Sequence, residues 1–228
     1  MLLGKKVIGT IGYMGGVMAL PSPFVWSWSQ MIEYNNDYLI EPGQQILYTK
    51  TDNSYHSFAR NNLVKQMRGD WLLMLDTDHQ FEPDLLARML YILMKNPEVQ
   101  VLSGIYQYKG PPYSPKIYHW SKDGKAIEAI GDWDKPKGRY LIPIGSAGGG
   151  CLLIKKEVIE KMKLKFKEEP FDILHPFSED NSFFIRLRKL GIKAYCDPSI
   201  EYHHLVYKPL SLADFKKDNI DLTKHDSV

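Results

Sequence analysis

Short apolar runs alternate with stretches of helical period along the first part of the chain. Lys6-Val7-Ile8-Gly9-Thr10-Ile11-Gly12 reads as a buried strand that runs into a glycine turn at Gly15-Gly16. Phe24, Trp26, Trp28, Met31 and Ile32 predict a helix over 24–34, its start marked by Pro21 and Pro23. A short strand follows at 45–49, and Phe58, Leu63, Val64 and Met67 mark a helix over 57–67. Residues 71–75 are wholly apolar and read as a strand buried on both faces. A helix over 83–95 and a strand over 99–104 come next. This alternation predicts a parallel, doubly wound sheet.

The pattern changes after residue 105. Residues 106–143 contain Pro111, Pro112, Pro115, Pro136 and Pro143, with Trp120, Trp133 and several tyrosines. Such a stretch reads as an irregular or antiparallel excursion that shapes a pocket. Its two tryptophans are candidates for stacking on a ligand, with core packing the equal alternative. The alternation then resumes with Gly145 to Gly150, a strand at 151–154 and a helix at 156–162. A helix over 181–190 stops at Gly191, a strand occupies 192–196, and Tyr202-His203-His204 follows. This order describes one α/β domain over 1–204, with halves at 1–105 and 106–204, and a polar tail at 205–228. A length of 228 residues suits one such domain.

Charge narrows the function classes. The 29 basic residues nearly balance the 27 acidic ones, so no strong nucleic-acid field is expected. Cys151 and Cys196 sit in apolar runs and read as buried thiols. No stretch approaches the roughly 20 apolar residues of a membrane span, and residues 1–6 are too short for a signal peptide. A cytoplasmic, reducing setting is the expectation.

Asp76-Thr77-Asp78 ends the apolar strand, where open α/β sheets bind ligands. Two such acids repel unless a cation lies beside them, which points to a metal–nucleotide site. The plain alternative is that they cap the turn and the next helix. Ser178-Glu179-Asp180 opens a helix. Ser178 suits an N-cap with acids in the first turn, and Asp180 alternatively suits a general base facing a cleft. His203 and His204 would point to opposite faces of an extended segment, so at most one is a ligand. An imidazole added to carboxylates suits Mn²⁺ or Mg²⁺. Gly148-Gly149-Gly150 is either a flexible turn or a place where backbone approaches a ligand closely. It is no Walker loop, and Gly12 to Gly16 is no dinucleotide fingerprint. Lys155 to Lys167, interleaved with Glu157 and Glu160, reads as a solvated helix face.

The order of these pieces carries more than any one of them. Phe58-Ala59-Arg60-Asn61-Asn62 is followed by Gly69 to Asp78, then by Phe81-Glu82-Pro83-Asp84. After these come Gly149 to Ile154, Phe177 to Asp180, and Tyr195 to Ile200 with His204 four residues on. From residue 5 to about 204 this series resembles family 2 glycosyltransferases of the GT-A fold. The resemblance implies a Rossmann-like, mostly parallel sheet flanked by helices, with the excursion on the acceptor side. It implies a metal-dependent enzyme that moves a sugar from a nucleotide-diphospho-sugar, a UDP-sugar favoured, to an acceptor hydroxyl with inversion. Asp76, Asp78 and His204 then belong to a Mn²⁺ or Mg²⁺ site, with Asp78 and His204 holding the ion and Asp76 near the ribose and a metal-bound water. Thr10, Asp52, Arg60, Asn61, Asp76, Thr77 and Gly149 take nucleotide-side positions. Asp180 takes the place of the base, with Glu179 beside it. The chain departs from the family at Gly12-Tyr13-Met14-Gly15, where an Asn-or-Pro turn is usual, and at His203, often Gly. Two other classes remain as readings: a non-catalytic sugar- or nucleotide-binding module on the same fold, and a nucleotidyltransferase, although a Gly-rich, Lys-containing phosphate loop is missing. Donor sugar, acceptor and oligomeric state are not legible in the sequence.

Overall fold

The computed structural model describes residues 4–15, 19–51, 55–122, 127–130 and 141–206. Seven strands form the main sheet, in the spatial order Gln44–Thr51 (β2), Lys6–Met14 (β1), Trp71–Asp76 (β3), Cys151–Lys155 (β10), Val101–Ile105 (β5), Ala194–Glu201 (β11) and Ile142–Ile144 (β8). β2, β1, β3, β5 and β11 run one way. β10 is antiparallel to both β3 and β5, and β8 is antiparallel to β11. The sheet is thus mostly parallel, as expected, with a reversed strand at its centre.

The apolar run at 71–75 is explained by this position. Side chains alternate across a strand, so Leu72 and Met74 enter one core while Leu73 and Leu75 enter the other. The helices His56–Gln66 (α2), Lys156–Phe166 (α4) and Glu179–Lys189 (α5) cover the first face through Leu63, Val158, Met162, Phe183 and Leu187. The helices Ser22–Tyr38 (α1) and Leu85–Lys95 (α3) cover the second through Phe24, Met31, Leu86 and Met89. The exposed Lys-rich face of α4 carries the pairs Lys156–Glu160 and Lys161–Glu157. Both cysteines are free and buried. Burial pushes the Cys151 thiol up to about 12, so it stays protonated.

The excursion is antiparallel, as its prolines suggest. Ile117–Trp120 (β6) pairs with Ile127–Ala129 (β7) on one side and Ser146–Ala147 (β9) on the other. A further pair, His79–Gln80 (β4) with His203–His204 (β12), joins the two ends of the chain's chemistry. Trp120 packs against a side chain of the protein itself. The Arg188 guanidinium lies 4.3 Å from its ring centroid, and it borders a separate hollow with Phe184 and Leu187. Trp133, Asp52 and residues 207–228 lie outside the described residues. β11 extends to Glu201, past the expected end at 196, because the chain re-pairs with β5 at Ile105 after an irregularity. No helix among the described residues is long and apolar enough to cross a membrane.

Gly69 fixes the entry into β3. It sits at φ +81°, and a Cβ there would stand 2.4 Å from the Gly9 nitrogen and the Ile8 carbonyl carbon. Gly69→Ala therefore forces backbone apart and adopts a left-handed conformation at the same time. The expected cost is about 2–4 kcal/mol, seen as a melting temperature lower by roughly 4–16 °C in a thermal scan.

Candidate active site

The site forms where β3, α2, α5 and the glycine run meet. Arg60, one turn into α2, is only 2 % exposed. A buried guanidinium needs its donors satisfied, and four groups surround this one. Nη1 donates to the Gly149 carbonyl at 2.8 Å, Nη2 lies 3.3 Å from Asp76 Oδ1, and Nε lies 3.0 Å from Asp180 Oδ1 and 3.5 Å from Glu179 Oε1. Burial alone would lower the Arg60 pKa, but Asp180, Asp76 and Glu179 outweigh it and raise it above its ordinary value. One cation thus faces three carboxylates. Asp180 bears the strain of that imbalance. Burial and the neighbouring Glu179 and Asp76 raise its pKa above the usual carboxylate value, with Arg60 and a Gly149 amide pulling the other way.

Ser178 is the N-cap that α5 requires, its hydroxyl accepting from the Asn181 amide at 3.3 Å. The capping reading is realised, and the cap sets the helix start that points Asp180 at Arg60. Gly149 is what lets the two meet: a Cβ there would stand 2.4 Å from Arg60 Cζ and from Asp180 Oδ1. The glycine run thus admits the protein's own side chains, rather than a ligand's approach, at this point. Asp76, Arg60, Glu179 and Asp180 line a cavity of about 360 Å³ together with His56, Tyr106, Tyr108, Lys116, Tyr118, Ser178 and Asn181.

Arg60→Met is expected to remove the one cation and leave the three carboxylates facing each other, at a cost of about 3–5 kcal/mol. The sign with pH follows from Asp180. Its carboxyl, already raised in the fold, rises further without Arg60, so the charged form opposes folding above that value and protonation relieves it below. Urea unfolding at about pH 8 and about pH 5 should show the larger loss at the higher pH.

Asp78 stands apart from this network. The chain turns at Thr77-Asp78 directly after β3, so the two acids of Asp-x-Asp are sent to different partners. Neither caps α3, whose N-cap is Asp84 without a side-chain bond. Asp76 stays with Arg60, whereas Asp78 joins His79 and His204, whose ligand atoms all lie within 4.8 Å of one another. Asp76, grouped with the metal ligands from the sequence, lies outside that cluster. His79 is the residue that takes its place, and its adjacency to Asp78 was the missed signal. Of the two terminal histidines, the structure brings His204 to Asp78 and leaves His203 exposed.

The donor set fits a divalent cation. His204 Nδ1 is 2.7 Å from the Gln107 carbonyl, which can only accept, so Nδ1 carries the hydrogen. In the neutral ring Nε2 is then a lone pair, 3.2 Å from the lone pairs of Asp78 Oδ2. Two acceptors facing one another call for a cation between them. Both nitrogens of buried His79 lack a hydrogen-bond partner, and Nδ1 lies 2.9 Å from Asp78 Oδ1. Burial lowers the His79 pKa in spite of Asp78, which favours its ligand form. One carboxylate and two imidazoles make an oxygen/nitrogen set that suits a divalent transition-metal cation. Burial would raise the Asp78 pKa, but contacts with His79 and Lys109 hold it far below the usual carboxylate range. Tyr106 joins this cluster to the cavity. Its ring packs edge-on against His79 and His204, with centroids 4.6 and 5.5 Å away, while its hydroxyl accepts from the Gly150 amide.

Other expected nucleotide-side residues serve the scaffold. The Thr10 hydroxyl is fully buried, donates to the Arg68 carbonyl and accepts from the Arg68 amide. Asn61 donates to Asp172 and accepts from the Phe171 amide, clamping the segment before α5. Thr77 occupies the turn between the two acids, half-buried.

An open α/β sheet with a diacid turn at the carboxyl end of a central strand and an acidic helix start facing it defines a GT-A glycosyltransferase architecture. The description "Glycosyl transferase family 2" matches residues 31–163, more than half of the chain, and the protein belongs to that family. Among solved structures, A197 from STIV aligns with 90 % of this chain and 90 % of its own at 18 % identity and a TM-score of 0.53. GalNAc-T7, solved with UDP, GalNAc and Mn²⁺, aligns at 12 % identity and a TM-score of 0.60, covering 92 % of this chain. The chain spans 47 % of GalNAc-T7. No curated protein sequence matches the chain.

Proposed function

We propose that this glycosyltransferase moves a sugar from a nucleotide-diphospho-sugar, a UDP-sugar favoured, to an acceptor hydroxyl with inversion. Residues 1–105 supply the donor side and residues 106–204 the acceptor side, within one domain. The observation that carries the reading is the pairing of two acidic centres with different electrostatics: Asp180, held beside Arg60 with a raised pKa, and Asp78, grouped with two imidazoles.

Asp78 and His204, with His79 behind them, would hold a divalent cation, Mn²⁺ or Mg²⁺. When bound, such an ion neutralises charge developing on the leaving diphosphate. Asp180 accepts the acceptor hydroxyl's proton as that oxygen bonds to the anomeric carbon and the bond to the diphosphate oxygen breaks. One displacement from the opposite face inverts the configuration. The Arg60 guanidinium favours the ionised form of Asp180 and fixes its direction, and Glu179, on the same guanidinium, is the nearest alternative base. Tyr108, Tyr118 and Lys116 form the wall on which the acceptor would rest, the phenols of the two tyrosines being hydrogen-bonded to each other. Two free, buried thiols support a reducing, cytoplasmic setting.

The test is a melting-temperature screen of nucleotide sugars with and without Mn²⁺, followed by measurement of nucleoside diphosphate release. A ligand at 100 times its dissociation constant should stabilise the fold by about 2.7 kcal/mol. Mn²⁺-dependent stabilisation followed by release with acceptor is the expected result. Binding without turnover over a broad acceptor panel would instead make the protein a binding module.

A further inference from the structure

The loop after β5 reaches the proposed metal cluster at two points. Gln107 fixes the His204 ring through its carbonyl, and Lys109, two residues on, places Nζ 2.5 Å from Asp78 Oδ2. That oxygen is the same one that faces His204 Nε2, so the ammonium lies on the side of Asp78 from which a divalent ion would be bound. The loop base is fixed: the Tyr108 amide donates to the Ser114 carbonyl and the Lys116 amide to the Tyr106 carbonyl. The Lys109 side chain is 48 % exposed, and its flexible stem can move without the backbone.

We propose that Lys109 is a resident counter-ion of Asp78 that a divalent cation displaces, and that the displaced ammonium then binds the diphosphate of the donor. The inference rests on the metal reading given above. Two positive charges at one carboxylate oxygen repel each other, so the ion and Lys109 compete for Asp78. The displaced Lys109 remains on a loop bordering the site, and a metal–diphosphate complex retains negative charge. Arg60 is buried and already faces three carboxylates and a carbonyl, which balance its charge. Lys116 is held over the rings of Tyr106 and Tyr108. Among the described residues, Lys109 thus combines the position and the freedom to meet the diphosphate.

The two roles have opposite signs, which a purely structural lysine would not produce. In Lys109→Met, affinity for Mn²⁺ alone should rise about 2- to 10-fold, since a competing charge is gone. Affinity for inorganic pyrophosphate at saturating Mn²⁺ should fall about 10-fold, the loss of one charge-assisted contact. Lys109→Arg should restore most of the pyrophosphate affinity. Titration calorimetry and the Mn²⁺ electron-resonance signal read both quantities without turnover, on variants whose melting temperature is recorded alongside. Tighter Mn²⁺ with weaker pyrophosphate supports the proposal, as does Mn²⁺ binding that emerges only in Lys109→Met. Unchanged or weaker Mn²⁺ binding in Lys109→Met, with binding in the parent abolished by Asp78→Ala, overturns the counter-ion role and leaves the metal reading intact. Unchanged pyrophosphate affinity overturns the donor role. Absence of Mn²⁺ binding in parent and Lys109→Met alike overturns both the proposal and the metal site.

Discussion

Asp180→Asn is expected to keep the fold and donor binding while transfer falls about 10²- to 10⁴-fold, the usual contribution of a positioned general base. The substitution is nearly isosteric, and the α5 N-cap is Ser178 rather than Asp180, so the helix start is preserved. Arg60 keeps Asp76, Glu179 and the Gly149 carbonyl as partners. The pH dependence gives a second readout. A base must be ionised, and burial raises the Asp180 carboxyl above its ordinary value. The acid limb of kcat/KM should therefore rise with pH through a value above the usual carboxylate range, and Asn should abolish that limb. Melting temperature and transfer rate measured on one sample separate this outcome from a loss of stability. Near-normal transfer in a stable Asp180→Asn protein would move the base to Glu179.

Asp78→Ala is expected to remove the Mn²⁺-dependent part of donor affinity altogether and to lower transfer by about 10³-fold, equivalent to about 4 kcal/mol of lost charge stabilisation. The fold should survive, because the Asp78 side chain is 39 % exposed and its partners are the half-exposed Lys109 and two histidines that stack on each other at 4.2 Å. Asp76→Ala should differ in kind. Its carboxylate belongs to Arg60, so its loss should appear in stability as well as in rate. Normal Mn²⁺-dependent donor affinity in Asp78→Ala would defeat the metal assignment.

Where one residue's environment is dictated by its own strand, the sequence was a good guide. The apolar run at 71–75 announced a central strand, and Gly191 announced a helix end. Ser178-Glu179-Asp180 announced a helix start. The ladder order was not visible, because nothing local in 151–154 reveals that this strand runs antiparallel between β3 and β5. The site divided along the same line. Asp78, His204 and Asp180 were legible as residues whose chemistry is set by type and by position at an element's edge. Arg60 was found but its task was not, since a guanidinium shared by Asp76, Glu179 and Asp180 joins positions more than a hundred residues apart. Thr10 and Asn61 carry polar side chains at apt positions, yet Thr10 is bonded to the Arg68 backbone and Asn61 to the Asp172 carboxylate and the Phe171 amide. Lys109 left no signal, because an exposed lysine in a proline-rich loop gains meaning only from what it faces.

The reversed strand β10 has a consequence for how the chain can be cut and made. β3 receives its second neighbour from residues 151–155, so a ribosome must deliver the whole excursion after β5 before the centre of the sheet can close. Until then β3 is an open, wholly apolar edge, the kind of strand that recruits other chains. A fragment ending near residue 105 would carry the Asp-x-Asp turn but would display that edge permanently. Residues 1–105 are therefore an inseparable part of the domain rather than a portable cassette. Expressed alone, such a fragment should collect in the insoluble fraction, and it should recover only when a segment supplying 151–155 is provided with it.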